Sequence, residues 1–326
     1  MNRDRNVLRV TTISIQGLTK RYPRVVALDQ LTVDISPGVT GLVGANGAGK
    51  STLIKMLLGL IRPTDGTASV LGHDIRRDGP AIRTLVGYMP EHDCLPPDAS
   101  AAEFVMHMAR MSGLPTGAAR ERTADTLRHV GLGEERYRPI GGYSTGMRQR
   151  VKLAQALVHD PELVFLDEPT NGLDPVGRDD MLDLIRKVHT KFGISVVVTS
   201  HMLGELERTS DHVVVLDGGR LAKSETVTAL TATTHTLAVE VLDPSGGTDA
   251  TETARAAFAS ADLNVRVDGR LLYVAATDDS TVDVIRDAIA GHDLGLVRLQ
   301  RERHTIAELF TSRDGQTQGS VNDVHA

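Results

Sequence analysis

The chain has no tryptophan, and aromatic residues make up only 3% of its 326 residues, so its core must rest on Leu, Val, Ile, Ala and Met. A single cysteine, Cys94, excludes an internal disulfide framework and a cysteine-rich metal site, as in a reducing compartment. Its thiol is expected to be buried or incidental. No apolar run approaches the roughly 20 residues of a membrane-spanning helix, and the charged stretch from Met1 to Arg9 lacks the apolar centre of a secretory signal. A cytoplasmic location is expected, with any membrane role exercised through a partner. Positive charge is not in excess either. The net charge of −6 is spread along the chain, which leaves no basic domain to track a phosphodiester backbone, and stable nucleic-acid binding is not expected. What remains is 40% hydrophobic and 24% charged, the composition of a globular protein, with length for one large or two ordinary domains.

One stretch organises the rest. Gly44-Ala45-Asn46-Gly47-Ala48-Gly49-Lys50-Ser51 satisfies G-x-x-x-x-G-K-[ST] between the apolar run Val39 to Val43 and an amphipathic helix that starts near Lys50. Strand before and helix after are the context a phosphate-binding loop requires. Its glycines let successive N–H groups turn inward, and the helix adds unpaired N–H groups and its positive dipole end. Lys50 is placed to reach terminal phosphates, and the Ser51 hydroxyl to ligate the Mg²⁺ that accompanies a nucleoside triphosphate.

Read in order, Thr11 to Gly17 alternates as an edge strand, with Tyr22 in a polar turn beyond it, and Leu31 to Ile35 forms a second strand. A helix from about Lys50 to Gly59 stops at the Pro63-Thr64-Asp65-Gly66 turn, and strands follow over Ala68 to Leu71 and Val86 to Glu91. Ala99 to Val130 takes up helical spacing, broken at Gly113-Leu114-Pro115 and closed by Gly131. Leu163 to Leu166 and Ile194 to Thr199 are apolar without alternation, as strands covered on both faces of a parallel sheet are. The fold class is therefore α/β with a helical insertion. Beyond about Thr233 the order β-α-β-β-α-β, with an Asp268-Gly269 hairpin, predicts a small split βαβ domain. The expected domains are 11–234 and 235–313, followed by a disordered tail over 314–326.

A phosphate loop alone leaves kinases, GTPases and ATPases open. Leu163-Val164-Phe165-Leu166-Asp167-Glu168 narrows the choice, since Asp167 at a strand's carboxyl end can hold Mg²⁺ while Glu168 polarises a water for in-line attack. Tyr143-Ser144-Thr145-Gly146-Met147 lies just upstream and resembles the signature motif of the ATP-binding cassette (ABC) family, the nucleotide-binding subunits of ABC transporters. The resemblance spans about residues 11 to 230. It implies a P-loop NTPase core in which Gly44 to Ser51, with Thr52, form Walker A, and Asp167 and Glu168 form Walker B. It further implies Tyr22 as the adenine platform, Glu91 in the Q-loop place as a metal-side residue, Leu173-Asp174 as the D-loop, and His201 as the catalytic switch histidine.

Ser144 and Gly146 open a helix whose N–H groups can form a second anion site. One phosphate already enclosed by Walker A leaves that site no role in its own subunit. The economical arrangement is a head-to-tail pair of chains sandwiching two ATP molecules. YSTGM in place of LSGGQ, glutamate for glutamine at 91, and the ending Arg301 to Phe310 resemble the stand-alone ATPases of bacterial ABC exporters, whose membrane subunits are separate chains. The resemblance thus implies an ATPase using ATP and Mg²⁺, peripheral to the inner membrane face. Its surface toward the membrane subunits would be the loop after Glu91 and the insertion 99–130. ABC proteins of chromosome maintenance would need a long coiled coil before the signature, and ribosome-associated ones a second cassette; the chain has neither.

Overall fold

The computed structural model describes residues 11–303 apart from 93, 231–232, 245–248 and 277–279. The tail expected over 314–326 and most of the ending Arg301 to Phe310 lie outside the described residues. Chain contacts divide the molecule into two compact units, Met1–Val227 and Thr228–Ala326.

In the first unit, β1 (Ile13–Tyr22) and β2 (Val25–Ile35) lead into the short apolar β3 (Val39–Val43), the phosphate loop and α1 (Lys50–Leu57). β4 (Asp65–Val70) and β5 (His73–Asp74) complete an antiparallel sheet in the order β2-β1-β4-β5. The first strand is therefore not an edge: β1 bonds to β2 on one side and to β4 on the other. Its alternation, with Ile13 and Ile15 buried and Gln16 exposed, reports that one face is covered and carries no information about how many neighbours a strand has. Tyr22 is the last residue of β1, paired with Val25, and is not in a separate turn.

A short helix α2 (Gly79–Leu85) and β6 (Val86–Met89) precede the helical insertion, α3 (Ala101–Met111) and α4 (Thr116–His129). Ser100 and Glu103 start α3 with a reciprocal capping box, and Gly131 at φ 80° closes α4. The signature helix α5 (Thr145–Leu157), β7 (Leu163–Asp167), α6 (Pro175–Phe192), β8 (Ser195–Ser200), α7 (Leu203–Thr209), β9 (His212–Asp217) and β10 (Arg220–Thr226) complete the unit.

Five of these strands are parallel to their neighbours in the order β9-β3-β8-β7-β6, and β10 adds antiparallel at one edge. Every residue of β3, β7 and β8 is buried, which is why they read as continuous apolar runs. One apolar cluster joins the antiparallel sheet (Ile13, Ile15, Leu31) to α1 (Leu53, Ile54, Met56, Leu57) and the parallel sheet (Phe165, Val197, Val214). Each such large side chain contributes about 1.5–3 kcal/mol by leaving water. The consequence for the site is that α1 is held rigidly against the strand that feeds it.

The second unit contains α8 (Val227–Leu230, which straddles the division), β11 (Thr233–Leu242), α9 (Ala250–Ser260), β12 (Val265–Asp268), β13 (Leu271–Ala275), α10 (Ser280–Ala290) and β14 (Gly295–Arg303). Its antiparallel sheet runs β12-β13-β11-β14, the order of a split βαβ fold. Phe258, Ala254, Ile285 and Ile289 of the helices cover Leu237, Val239, Leu272 and Val274 of the strands in a cluster of their own. Because, among the described residues, these two apolar clusters share none, a chain ended after Leu230 is expected to stay folded and to bind ATP with its affinity changed by less than about threefold, a small effect for a cut that removes no motif. Equilibrium binding of a fluorescent ATP analogue, with circular dichroism as the folding control, checks this.

Candidate active site

The parallel sheet delivers its functional residues to one edge. β3 ends at Val43 before the phosphate loop, β6 at Met89 before Glu91, β7 at Asp167 before Glu168, and β8 at Ser200 before His201. Carboxyl ends of parallel strands are where α/β sheets place ligands. Here they surround a cavity of about 370 Å³ lined by Val25, Ala27, the loop from Asn46 to Thr52, Glu91, Asp167, Glu168, Asn171 and His201.

The loop's shape rests on two close approaches. A Cβ at Gly49, which has φ 99°, would lie 2.4 Å from the Ala27 carbonyl, and one at Gly44 would lie 2.6 Å from the Leu216 carbonyl. Gly49 is also the N-cap of α1, so that helix begins with no side-chain cap, unlike α3, α5 and α6, and it has no acid in its first turn. Its first N–H groups are thus left for an anion. Lys50, only 8% exposed, donates from Nζ to the Gly44 carbonyl at 2.6 Å and to that of Ala45 at 3.3 Å, which holds its ammonium over the loop.

Opposite the loop stand the carboxylates. Asp167 and Glu168 are buried, and His201 Nδ1 is 2.8 Å from Glu168 Oε2. A carboxylate only accepts, so Nδ1 carries the proton in this contact. Glu168 has φ 51°, a left-handed backbone that costs a non-glycine residue about 1–3 kcal/mol and recurs at functional sites. Its N–H donates to Thr199 Oγ1 at 2.9 Å, and Thr199 Oγ1 donates to Asp167 Oδ1 at 2.8 Å. Tyr88, at the end of β6, also faces Asp167. Burial first, then the Asp167 charge and hydrogen bond, push its hydroxyl up to about 12, so it stays a neutral donor to that carboxylate.

Behind them, Glu205 Oε2 accepts from both Thr170 and Ser200 at 2.8 Å and its Oε1 lies 3.1 Å from Arg178 Nε, tying the residues that flank Glu168 and His201. Thr199, Tyr88 and Glu205 were missed by sequence reasoning. The signal for the first two was their place at the carboxyl ends of β8 and β6; for Glu205, four residues beyond His201 in a helix, there was none.

The cavity brings together most residues singled out in the sequence, but not Gly44 and Ala45 at the start of the phosphate loop, whose carbonyls hold Lys50, nor Tyr22, Ser144, Gly146 and Asp174. Tyr22 is not in its lining, although its pair Val25 is; it is 43% exposed with Lys20 Nζ 5.1 Å from the ring centre. Ser144 and Gly146 are not in the lining either. Ser144 caps α5 by accepting from the Met147 N–H at 3.3 Å, and a Cβ at Gly146 would find Leu173 Cδ2 at an ordinary 3.8 Å, so packing within the chain does not require glycine there. Asp174 caps α6 by accepting from the Gly177 N–H at 3.0 Å. The signature helix still touches the site: Gln149 Nε2 donates to the carbonyl of the lining residue Asn171 at 3.0 Å, and Lys152 Nζ donates to that of Glu91 at 2.8 Å. Cys94 is exposed, with its thiol 3.7 Å from Gln155 Oε1.

A glycine-shaped anion cradle facing an aspartate, a glutamate and a histidine at one sheet edge defines a nucleoside-triphosphate hydrolase of the P-loop class. The sequence profile of the ABC transporter family matches residues 28–171. The daunorubicin resistance ATP-binding protein of Streptomyces coeruleorubidus is 33% identical over 312 residues, 94% of this chain and 96% of that one. The daunorubicin/doxorubicin resistance ATP-binding protein of Streptomyces peucetius is 37% identical over 217 residues, which span 66% of each chain. Among solved structures, cbiO1 from Clostridium perfringens, part of an ABC transporter complex, superposes with a TM-score of 0.62 at 27% identity, covering 67% of this chain and 90% of that one. The chain belongs to the ATP-binding subunits of ABC transporters, and it is an ATPase of that family.

Proposed function

We propose that this chain energises an ABC exporter by binding two ATP molecules between two head-to-tail copies of itself and hydrolysing them, while separate membrane subunits carry the cargo. The observation that carries the reading is the convergence of Lys50, Ser51, Asp167, Glu168 and His201 on one cavity. Among the described residues no helix is long and apolar enough to cross a membrane, which supports a chain that reaches the inner membrane face through partners. Relatives of this chain are ATP-binding proteins of drug resistance, which favours export.

The lining sets Glu91, Asp167 and Glu168 against Lys50 and His201. A triphosphate would be repelled by three carboxylates unless a divalent cation lay between. No cluster of three His, Cys, Asp or Glu able to hold a metal exists among the described residues, and Mg²⁺ needs none, since it is held by one or two carboxylates together with phosphate oxygens. Ser51, Asp167 and Glu91, which line the cavity together, are the residues that would hold it. Bound there, Mg²⁺ supplies neutralisation of charge on the phosphates. The N–H groups at Gly47 to Thr52 and the Lys50 ammonium hold the phosphate chain. Glu168 accepts the proton of the attacking water, and His201 orients Glu168 through Nδ1.

Gly146 and the capped start of α5 then serve the partner's nucleotide, which accounts for a glycine that intrachain packing does not demand. Asp174 borders that same contact, and Tyr22 stacks on the adenine. The insertion, α3 and α4, and the loop after Glu91 meet the membrane subunits, and Lys152, bonded to the Glu91 carbonyl, joins that loop to the signature helix.

ATP turnover by the purified chain, alone and with its membrane subunits in vesicles, tests the proposal: stimulation is expected, and turnover indifferent to them would count against a transport role. Glu91→Gln probes the division of labour between the glutamates. Loss of one carboxylate is expected to raise the Mg²⁺ concentration for half-maximal turnover about tenfold while turnover at saturating Mg²⁺ falls less than about tenfold. A Mg²⁺ titration of the ATPase rate decides this, and an inactive variant would place Glu91 among the proton-transfer groups.

A further inference from the structure

Thr199 lies on β8 directly beside Asp167 of β7 in the parallel register and is completely buried. Shape does not explain it, because Val196, Val197 and Val198 fill the preceding positions of the same strand and valine has nearly the volume of threonine. The hydroxyl needs a reason, and it has two partners that can only be satisfied one way. A backbone N–H donates and a carboxylate accepts, so Oγ1 accepts from the Glu168 N–H at 2.9 Å and its proton goes to Asp167 Oδ1 at 2.8 Å. The Glu168 N–H is pinned at a residue whose left-handed φ of 51° aims its side chain at His201.

We propose that Thr199 is a positioning residue for ATP hydrolysis: its single hydroxyl sets the orientation of the Asp167 carboxylate and the strained backbone of Glu168 together, so that metal holding and water activation are kept in one register. This rests on the reading of Asp167 as a metal ligand and Glu168 as the base. Asp167 lines the cavity while Thr199 and Tyr88 hold its carboxylate from behind, and groups that hold a ligand's carboxylate usually govern metal affinity as strongly as they govern rate.

The test uses the full chain with Thr199→Val and Thr199→Ser, and Glu168→Gln in parallel. Thr199→Val is expected to lower kcat by about 10- to 100-fold with KM for ATP within about threefold. It is also expected to weaken Mn²⁺ binding, measured by electron paramagnetic resonance with a non-hydrolysable ATP analogue, about tenfold. Thr199→Ser keeps the hydroxyl and should restore both quantities. Full turnover in Thr199→Val, unchanged Mn²⁺ affinity, or a serine variant as impaired as the valine one overturns the inference. If Thr199→Val does not fold, Thr199→Cys, which keeps the volume but bonds weakly, takes its place with the same expected outcomes. Turnover surviving in Glu168→Gln would overturn the site reading and this inference with it; loss there beside full turnover in Thr199→Val overturns this inference alone.

Discussion

Glu168→Gln is expected to bind ATP as the natural chain does while its turnover falls about 10²- to 10⁴-fold, the range a positioned general base contributes. Glutamine keeps the reach of the side chain and can still meet His201, now 2.8 Å from Oε2, but its amide cannot take up the water's proton. Because ATP remains uncleaved, the nucleotide that bridges two copies persists, and an ATP-dependent dimer should accumulate on size exclusion with Mg²⁺ present. Phosphate release and elution volume are both measured. Retained turnover would remove Glu168 from the chemistry, and a monomer at saturating ATP would count against the head-to-tail sandwich.

Lys50→Ala acts earlier, at binding. The ammonium is almost completely buried and sits on the loop carbonyls of Gly44 and Ala45, within the cradle proposed to receive the terminal phosphates. Removing one partner of a desolvated charge pair costs about 2–5 kcal/mol, roughly 30- to 4,000-fold in affinity. The loss is compounded here because Glu91, Asp167 and Glu168 then face the triphosphate with no lysine to offset them. Titration with a fluorescent ATP analogue reads the affinity, and thermal melting separates it from any loosening of the loop. Binding within threefold of the natural chain would show that backbone N–H groups and the metal suffice.

These two substitutions bear on residues that were legible in the sequence, and the reason is local. A phosphate loop is eight consecutive residues between a strand and a helix, so the nest, the lysine and the uncapped helix start are all written within one turn of chain. The strands β7 and β8 were equally plain, since burial on both faces removes alternation. The small unit was readable from its Asp268-Gly269 turn and the spacing of two helices among four strands.

By itself, then, the sequence determined the α/β class, the phosphate loop, the carboxylates at the end of β7 and the family to which they belong, because each is a property of neighbours along the chain. Only the tertiary structure decided what depends on partners far apart in it. That β1 is an interior strand follows from hydrogen bonds to β2 and β4, which no alternation encodes. That Thr199 joins Asp167 to Glu168, that Tyr88 turns its hydroxyl to Asp167, and that Glu205 ties Thr170 to Ser200 follows from the parallel register of β6, β7 and β8 and from the packing of α7. A buried polar group is stable only when its hydrogen bonds are made. Which group makes them is settled by the distance between strands, and a chain of letters does not contain that distance.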